Sequence, residues 1–282
     1  LSTNNYFHFQ RATFFAVLPS NIQKLKNNMN MKRYVLFFTV AGLSLGLTSC
    51  FQNCRAMDNG PVVTSQRKVS QFEKIESSVP YDVFYTQGEK CSVKIEGPEK
   101  LVKRIATESD GTTLKVYFPI RETFHFGRNC GNVEIFITSP DVTNLVLRGS
   151  GTLTVKGKID SDTLNLHLLG SGDMIVPDII CDRLITYLQG SGDLTVKKAQ
   201  AVISQVKLLG SGDLNVGQQN VRNTNISLTG SGDINMRMTG CKTVSCKLIG
   251  SGDIKLTGNV ATLNQSVTGS GDIDVSNLKV GR

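Results

Sequence analysis

Apolar and polar positions alternate with a period of two along most of the second half of the chain, and the alternation restarts at each copy of the tripeptide Gly-Ser-Gly. With the first Gly of each copy as position zero, position −2 holds Leu147, Leu168, Leu188, Leu208, Leu228, Leu248 and Val267, all aliphatic. Position +4 holds Leu153, Met174, Leu194, Leu214, Ile234, Ile254 and Ile273. Position +6 holds Val155, Val176, Val196, Val216, Met236, Leu256 and Val275. Position −4 is more mixed, running Leu145, Leu166, Thr186, Val206, Ile226, Cys246 and Gln265. Between them stand mainly polar side chains, such as Thr195, Asn215, Asn235 and Lys255 at +5. This pattern predicts two short strands per repeat, each with one face inward, joined at the Gly-Ser-Gly corner.

The first Gly falls at 149, 170, 190, 210, 230, 250 and 269, so the repeat is fixed at 19 to 21 residues. Two architectures accommodate it. In a parallel β-solenoid each repeat is one coil of about 20 residues, every column stacks on itself at about 4.8 Å per coil, and seven coils make a rod roughly 34 Å long. Alternatively each repeat is a hairpin with a three-residue turn, packed in a meander or propeller. The solenoid is favoured because like residues recur in every column, as self-stacking requires. A propeller blade needs about 40 residues, so alternate repeats should differ. Only the column before the Gly (Leu169, Gln189, Leu209, Thr229, Ile249, Thr268) does so.

Residues 72–148 lack the corner motif but still read as β-structure. Strands are predicted at Asp82–Thr86, Ser92–Glu96, Leu114–Phe118 and Val133–Thr138, separated by turn signals. Glu99–Ala106 is the best candidate for a short helix. This segment is expected to form irregular first coils or a cap, because the open end of a solenoid exposes core and strand edge.

Composition changes the picture mainly at the N-terminus. With 39% hydrophobic and 19% charged residues, the chain of 282 residues fits a folded protein. The net charge of +8 is misleading. Residues 1–49 carry five basic side chains and no acid, and 31 basic groups less these five face 23 acids, a net of +3. That balance makes no case for nucleic acid. The segment Met31–Cys50 has a basic start (Lys32, Arg33) and an apolar run from Val35 to Leu47, too short for the ~20 residues of a membrane span but suited to a signal peptide. It ends in Leu47-Thr48-Ser49-Cys50, which resembles the lipobox of bacterial lipoproteins. That resemblance implies that Cys50 becomes the acylated first residue, with its lipid in the membrane. Residues 1–30 are read as an upstream extension of the gene start, 31–49 as the signal peptide and 50–71 as a tether. Residues 72–148 are read as the N-terminal β region and 149–282 as the repeat solenoid.

The pattern Phe72-x-x-Ile75, Tyr81-Asp82-Val83, then Leu145-x-Leu147-x-Gly149-Ser150-Gly151 and further Gly-Ser-Gly-Asp turns resembles a family of exported proteins of Gram-negative bacteria, the auto-transporter adhesin head GIN domain family. The resemblance covers about residues 72–280. It implies a right-handed parallel β-helix, an adhesin-like role and no catalytic residues. Thr152 departs from the Asp of the other six copies, and the insertion Pro119–Cys130 departs from the family pattern.

The chemistry-bearing columns have structural readings beside functional ones. Position +3 holds Asp173, Asp193, Asp213, Asp233, Asp253 and Asp272, a carboxylate ladder in a solenoid. Neighbours about 4.8 Å apart repel by roughly 1 kcal/mol in water, so something must offset the charge. Turn amides donating to the carboxylates are the favoured answer. A row of calcium ions or a ligand-binding face are the alternatives. Ser at +1 invites a nucleophile reading, but a nucleophilic Ser needs a base in reach. His167 lies outward beside Tyr187 of the next coil and is expected to form a surface pair. His125, flanked by Phe124 and Phe126, is expected in a cap. No His, Cys and carboxylate cluster has zinc spacing.

Of the cysteines after Cys50, Cys181 and Cys241 share a column three coils apart, about 14 Å, beyond the ~7 Å reach of a disulfide. Cys246 lies in a core column, and Cys91–Cys130 is the best candidate pair. The sequence thus predicts an exported, lipid-anchored, non-enzymatic binding or structural module without cofactor or metal. Its place is the cell envelope, as an outer-membrane lipoprotein facing the periplasm or the surface. Its partners are the membrane, through the lipid, and a glycan or protein ligand. A carbohydrate-active β-helix enzyme and a calcium-binding repeat protein are the competing classes.

Overall fold

The computed structural model describes residues 60–119 and 131–281. Within them the chain is almost all strand and forms a parallel β-solenoid of about seven turns. Successive repeats pair in parallel and in register, so each residue lies over its counterpart one coil earlier. Leu164, Thr186 and Leu188 pair with Leu184, Leu166 and Leu168, and Met174 pairs with Leu194. The hairpin alternative fails on this point, since it requires antiparallel pairing about each Gly-Ser-Gly.

Each coil of the repeat region has three stretches of strand rather than the two expected. One coil runs through Thr163–Gly170 and Asp173–Val176, and its third stretch opens Asp178–Gly190. The third stretch adds its own inward columns, with Ile179 over Ala199 and Cys181 over Ala201. The columns at −2 and +4 are buried as their periodicity requires, with one exception: Val267 is 44% exposed, whereas the six Leu residues of its column are at 0%. Val267 belongs to the last coil, and no described strand packs over it. Thr186, Ser204, Gln218 and Thr224 also point into the core. The amide Nε2 of Gln218 donates to the Ser204 hydroxyl at 2.5 Å, and the Thr224 hydroxyl donates to its Oε1 at 2.8 Å. This trio satisfies polar groups that would otherwise be costly to bury.

The first layers are not laid down in chain order. Strand Lys74–Ser77 lies between Thr113–Tyr117 and Asn144–Gly149, parallel to both. Strand Asp82–Gln87 lies likewise between Glu134–Ser139 and Thr152–Val155. The chain therefore builds the second layer first, doubles back to build the outermost one, and returns past both to begin the third. Antiparallel strands then close the stack: Ala106–Ser109 on Thr113–Tyr117, Ser92–Pro98 on Glu134–Ser139, and Val62–Arg67 on Ser92–Pro98. A short helix, Glu99–Val102, buries Leu101 and Val102 beside this cap. It is shorter than the segment expected to be helical, because the chain enters strand again at Ala106. Among the described residues no helix is long and apolar enough to cross a membrane.

Candidate functional site

The Gly-Ser-Gly corners set the spacing of everything on the surface. The first Gly has a φ between +114° and +139° in every copy, a backbone region that favours glycine. The demand on glycine comes equally from the neighbouring coil. The Ser N–H donates to the first Gly carbonyl one coil earlier at 2.9–3.0 Å, from Ser171 to Ser270. A Cβ on Gly192 would lie 2.0 Å from the Gly172 oxygen. The Ser side chains of the column are exposed, and the corner is a backbone contact between coils.

The Asp ladder lies next to this corner, exposed along its length. Asp173, Asp193, Asp213 and Asp233 each donate a backbone N–H to a Gly carbonyl of the preceding coil at 3.1–3.3 Å. Further along, the side chains take over. The Asp233 carboxylate accepts from the Asp253 N–H at 3.1 Å, and that of Asp253 from the Asp272 N–H at 3.0 Å. These two carboxylates thus bond between coils, where the sequence suggested bonds within a turn. Asp233, Asp253, Asp272 and Asp274 line a recess of about 280 Å3 with Asn235 and Lys255. Among the described residues no group of three or more His, Cys, Asp or Glu side chains is placed to hold a metal ion.

His167 and Tyr187 do meet, with ring centroids 5.5 Å apart and planes at 61°. Burial, with a smaller contribution from the Arg148 charge, lowers the His167 pKa. The Tyr187 hydroxyl donates to Gln189, and the Lys207 ammonium lies 5.6 Å from the ring centroid. Cys181, Cys241 and Cys246 are buried free thiols. Burial pushes Cys181 to about 11, with a smaller push from Asp182, and Cys246 to about 12. Cys50, Cys54, His125 and Cys130 lie outside the described residues, and with them the lipid anchor and the Cys91–Cys130 pair.

The second strand of each coil carries a further outward surface, which includes the polar +5 positions. Its outward column runs through Phe136, Phe84, Thr154, Ile175, Thr195, Asn215, Asn235, Lys255 and Asp274, each paired in register with the next. Phe84 and Phe136 stack at 5.3 Å, with the Lys156 and Lys94 ammonium groups 4.5 and 4.3 Å from their respective centroids. Farther along, a groove of about 410 Å3 opens beside Thr195, Asn215 and Asn235. Lys197, Arg237 and Lys255 surround it, and Gly217 lies between the first two. A β-bulge between Val196 and Ala199 places Lys197 and Lys198 against the single residue Gly217. A Cβ on Gly217 would come within 2.3 Å of the Lys197 carbonyl oxygen, so the glycine both admits the bulge and opens the groove. Lys198 approaches Asp178 at 3.9 Å. Lys197 and Arg237 have no ion pair or side-chain hydrogen bond among the described residues. Sequence periodicity missed this site because its cations occupy two columns. The available signal was one Gly at +7 between a Lys and an Arg in the same column.

Comparison with known proteins agrees with this architecture. The family model described as "Putative auto-transporter adhesin, head GIN domain" matches residues 71–240 and 200–282. A crystal structure of a putative adhesin from Bacteroides fragilis superposes with a TM-score of 0.65 at 24% identity, over 76% of this chain and 96% of that one. A putative adhesin from Parabacteroides merdae gives 0.63 at 19% identity, over 77% and 97% of the two chains. A protein from Parabacteroides distasonis described as a putative lipid binding protein gives 0.60 at 22%, over 76% and 96%. At these identities the likeness establishes the fold. No curated protein matches the chain. Since the family model spans nearly the whole solenoid and its cap, the chain belongs to the auto-transporter adhesin head GIN domain family.

Proposed function

We propose that this protein is an exported, lipid-anchored, non-enzymatic binding module of the bacterial cell envelope. The observation that carries the reading is the outward column of the second strand, which runs in register from Phe136 to Asp274. Such a face offers outward side chains at a fixed rise per coil, a geometry suited to an extended partner lying along the rod. The family's adhesin description supports the same role. In this reading the Asp ladder ties coil to coil, and the acyl chains on Cys50 hold the tether at the membrane.

The test has two arms. Metabolic labelling with fatty acid should mark the wild-type chain and not Cys50→Ala; an unlabelled wild type would remove the anchor. Full-length protein displayed on cells should capture members of a glycan and protein array. Capture of none, with the protein folded and exposed, would refute a binding role.

A further inference from the structure

The groove beside Asn215 and Asn235 has a chemistry that narrows the ligand, given the binding role just proposed. Its lining holds Lys197, Arg237 and Lys255 and not one carboxylate. Lys255 has a loose partner, Asp274 at 3.8 Å, whereas Lys197 and Arg237 have none among the described residues. Unpaired cations converging on one recess favour an anion. Val196, Val216 and Met236 behind it are each only 1–2% exposed, so their side chains belong to the core and offer a ligand little surface. No aromatic side chain lines the groove, which removes the stacking platform of single-stranded nucleic acid. What remains at its centre are two amides one coil apart and the Thr195 hydroxyl. Asn215 and Asn235 each offer donors and an acceptor, as recognition of ring hydroxyls requires.

The spacing agrees. Lys197 and Arg237 are two coils apart, about 9.6 Å along the axis, the length of a disaccharide. The exposed Asp193, Asp213 and Asp233 run beside the amides on the opposite flank, two residues or about 6.6 Å away. A ligand with charge on one edge and hydroxyls on the other meets both flanks correctly: anions toward Lys197 and Arg237, hydroxyls toward the Asp carboxylates. We infer that the groove binds an acidic polysaccharide, bearing carboxylates on its sugars and lying along the solenoid axis.

Purified full-length protein in detergent would be titrated at low salt with short polygalacturonate oligosaccharides, with neutral oligosaccharides of equal length, and with single-stranded DNA. The acidic sugar should bind best, and Lys197→Gln with Arg237→Gln should weaken it roughly tenfold or more, as loss of charge-assisted contacts does. Lys242→Gln with Lys247→Gln removes the same charge away from the groove and should change affinity less than about twofold. Lys197 and Arg237 are both exposed, so melting temperature should stay constant and exclude misfolding. Equal loss in the two variants, or equal binding of DNA, would overturn the proposal as general electrostatic attraction. Neutral-sugar binding indifferent to Lys197 and Arg237 would overturn the groove assignment while leaving the binding-module reading intact.

Discussion

A Cβ built on Gly190 would lie 2.1 Å from the carbonyl oxygen of Gly170, one coil below. No side chain fits that gap, so the repeat is dictated by contact between coils as well as by the turn within each. Gly149 supplies the natural control. It has the same kind of backbone, with φ +114°, and nothing lies within 4 Å of its would-be Cβ. Gly149→Ala should cost about 1–2 kcal/mol, the strain of a left-handed residue. Gly190→Ala should add overpacking of about 1–3 kcal/mol to that. Denaturant midpoints of the two variants give the comparison, and equal midpoints would show that coil contact contributes nothing.

The −2 column should report burial in the same way. Leu208 is 0% exposed and Val267, in the same column, is 44% exposed. Leu208→Ala should cost about 2–5 kcal/mol, the range for a buried Leu. Val267→Ala should cost under about 1 kcal/mol, because a half-exposed side chain loses little transfer energy. Comparable costs would mean that a further layer covers the last coil.

Much of this was legible in the sequence for a definite reason. Self-stacking selects the same residue type in each layer, so columns such as Leu188, Leu208 and Leu228 reveal the coil directly. The third strand was not legible. The bulge at Lys197 shifts its register, and the column holding Ile179 and Ala199 continues with the polar Gln218, whose partners Ser204 and Thr224 come from a different stretch of the coil. The order of the first layers was equally hidden, since Lys74 pairs with Asn144 across 70 residues without a shared motif. The groove escaped because Lys197, Gly217 and Arg237 differ from one another, whereas a repeat reading looks for sameness.

The Asp ladder should behave unevenly. No side-chain hydrogen bond engages the Asp213 carboxylate among the described residues, whereas that of Asp253 accepts from the Asp272 N–H. Asp213→Asn should change stability by less than about 0.5 kcal/mol. Asp253→Ala should cost about 0.5–1.5 kcal/mol, the net worth of one hydrogen bond. Millimolar calcium should leave the melting temperature unchanged; a rise that Asp213→Asn diminishes would instead make the ladder a cation site.

Alkaline stability should depend on the buried thiols. Their ordinary pKa is 9.0, and burial raises Cys181 to about 11 and Cys246 to about 12. Above pH 9.0 the unfolded chain releases thiol protons that the folded chain keeps, so stability falls as pH rises. Their contribution is fully present below pH 9.0 and is lost progressively toward pH 12. Cys246→Val should flatten that decline in denaturant titrations across the interval. Rapid alkylation of Cys246 in the native protein at neutral pH would contradict its burial.

The central claim is that each residue lies over its counterpart about twenty positions earlier. Parallel in-register partners stand about 4.8 Å apart, within the Cα range of a disulfide. Asn215 and Asn235 are such partners on the outer face. A hairpin turning about Ser211 would instead bring Asn215 opposite Lys207. Oxidative cross-linking of paired cysteine substitutions, read by mass spectrometry of the peptides, decides between them. Asn215→Cys with Asn235→Cys should form the disulfide, and Asn215→Cys with Lys207→Cys should not; the reverse outcome would contradict the solenoid and every site built upon it.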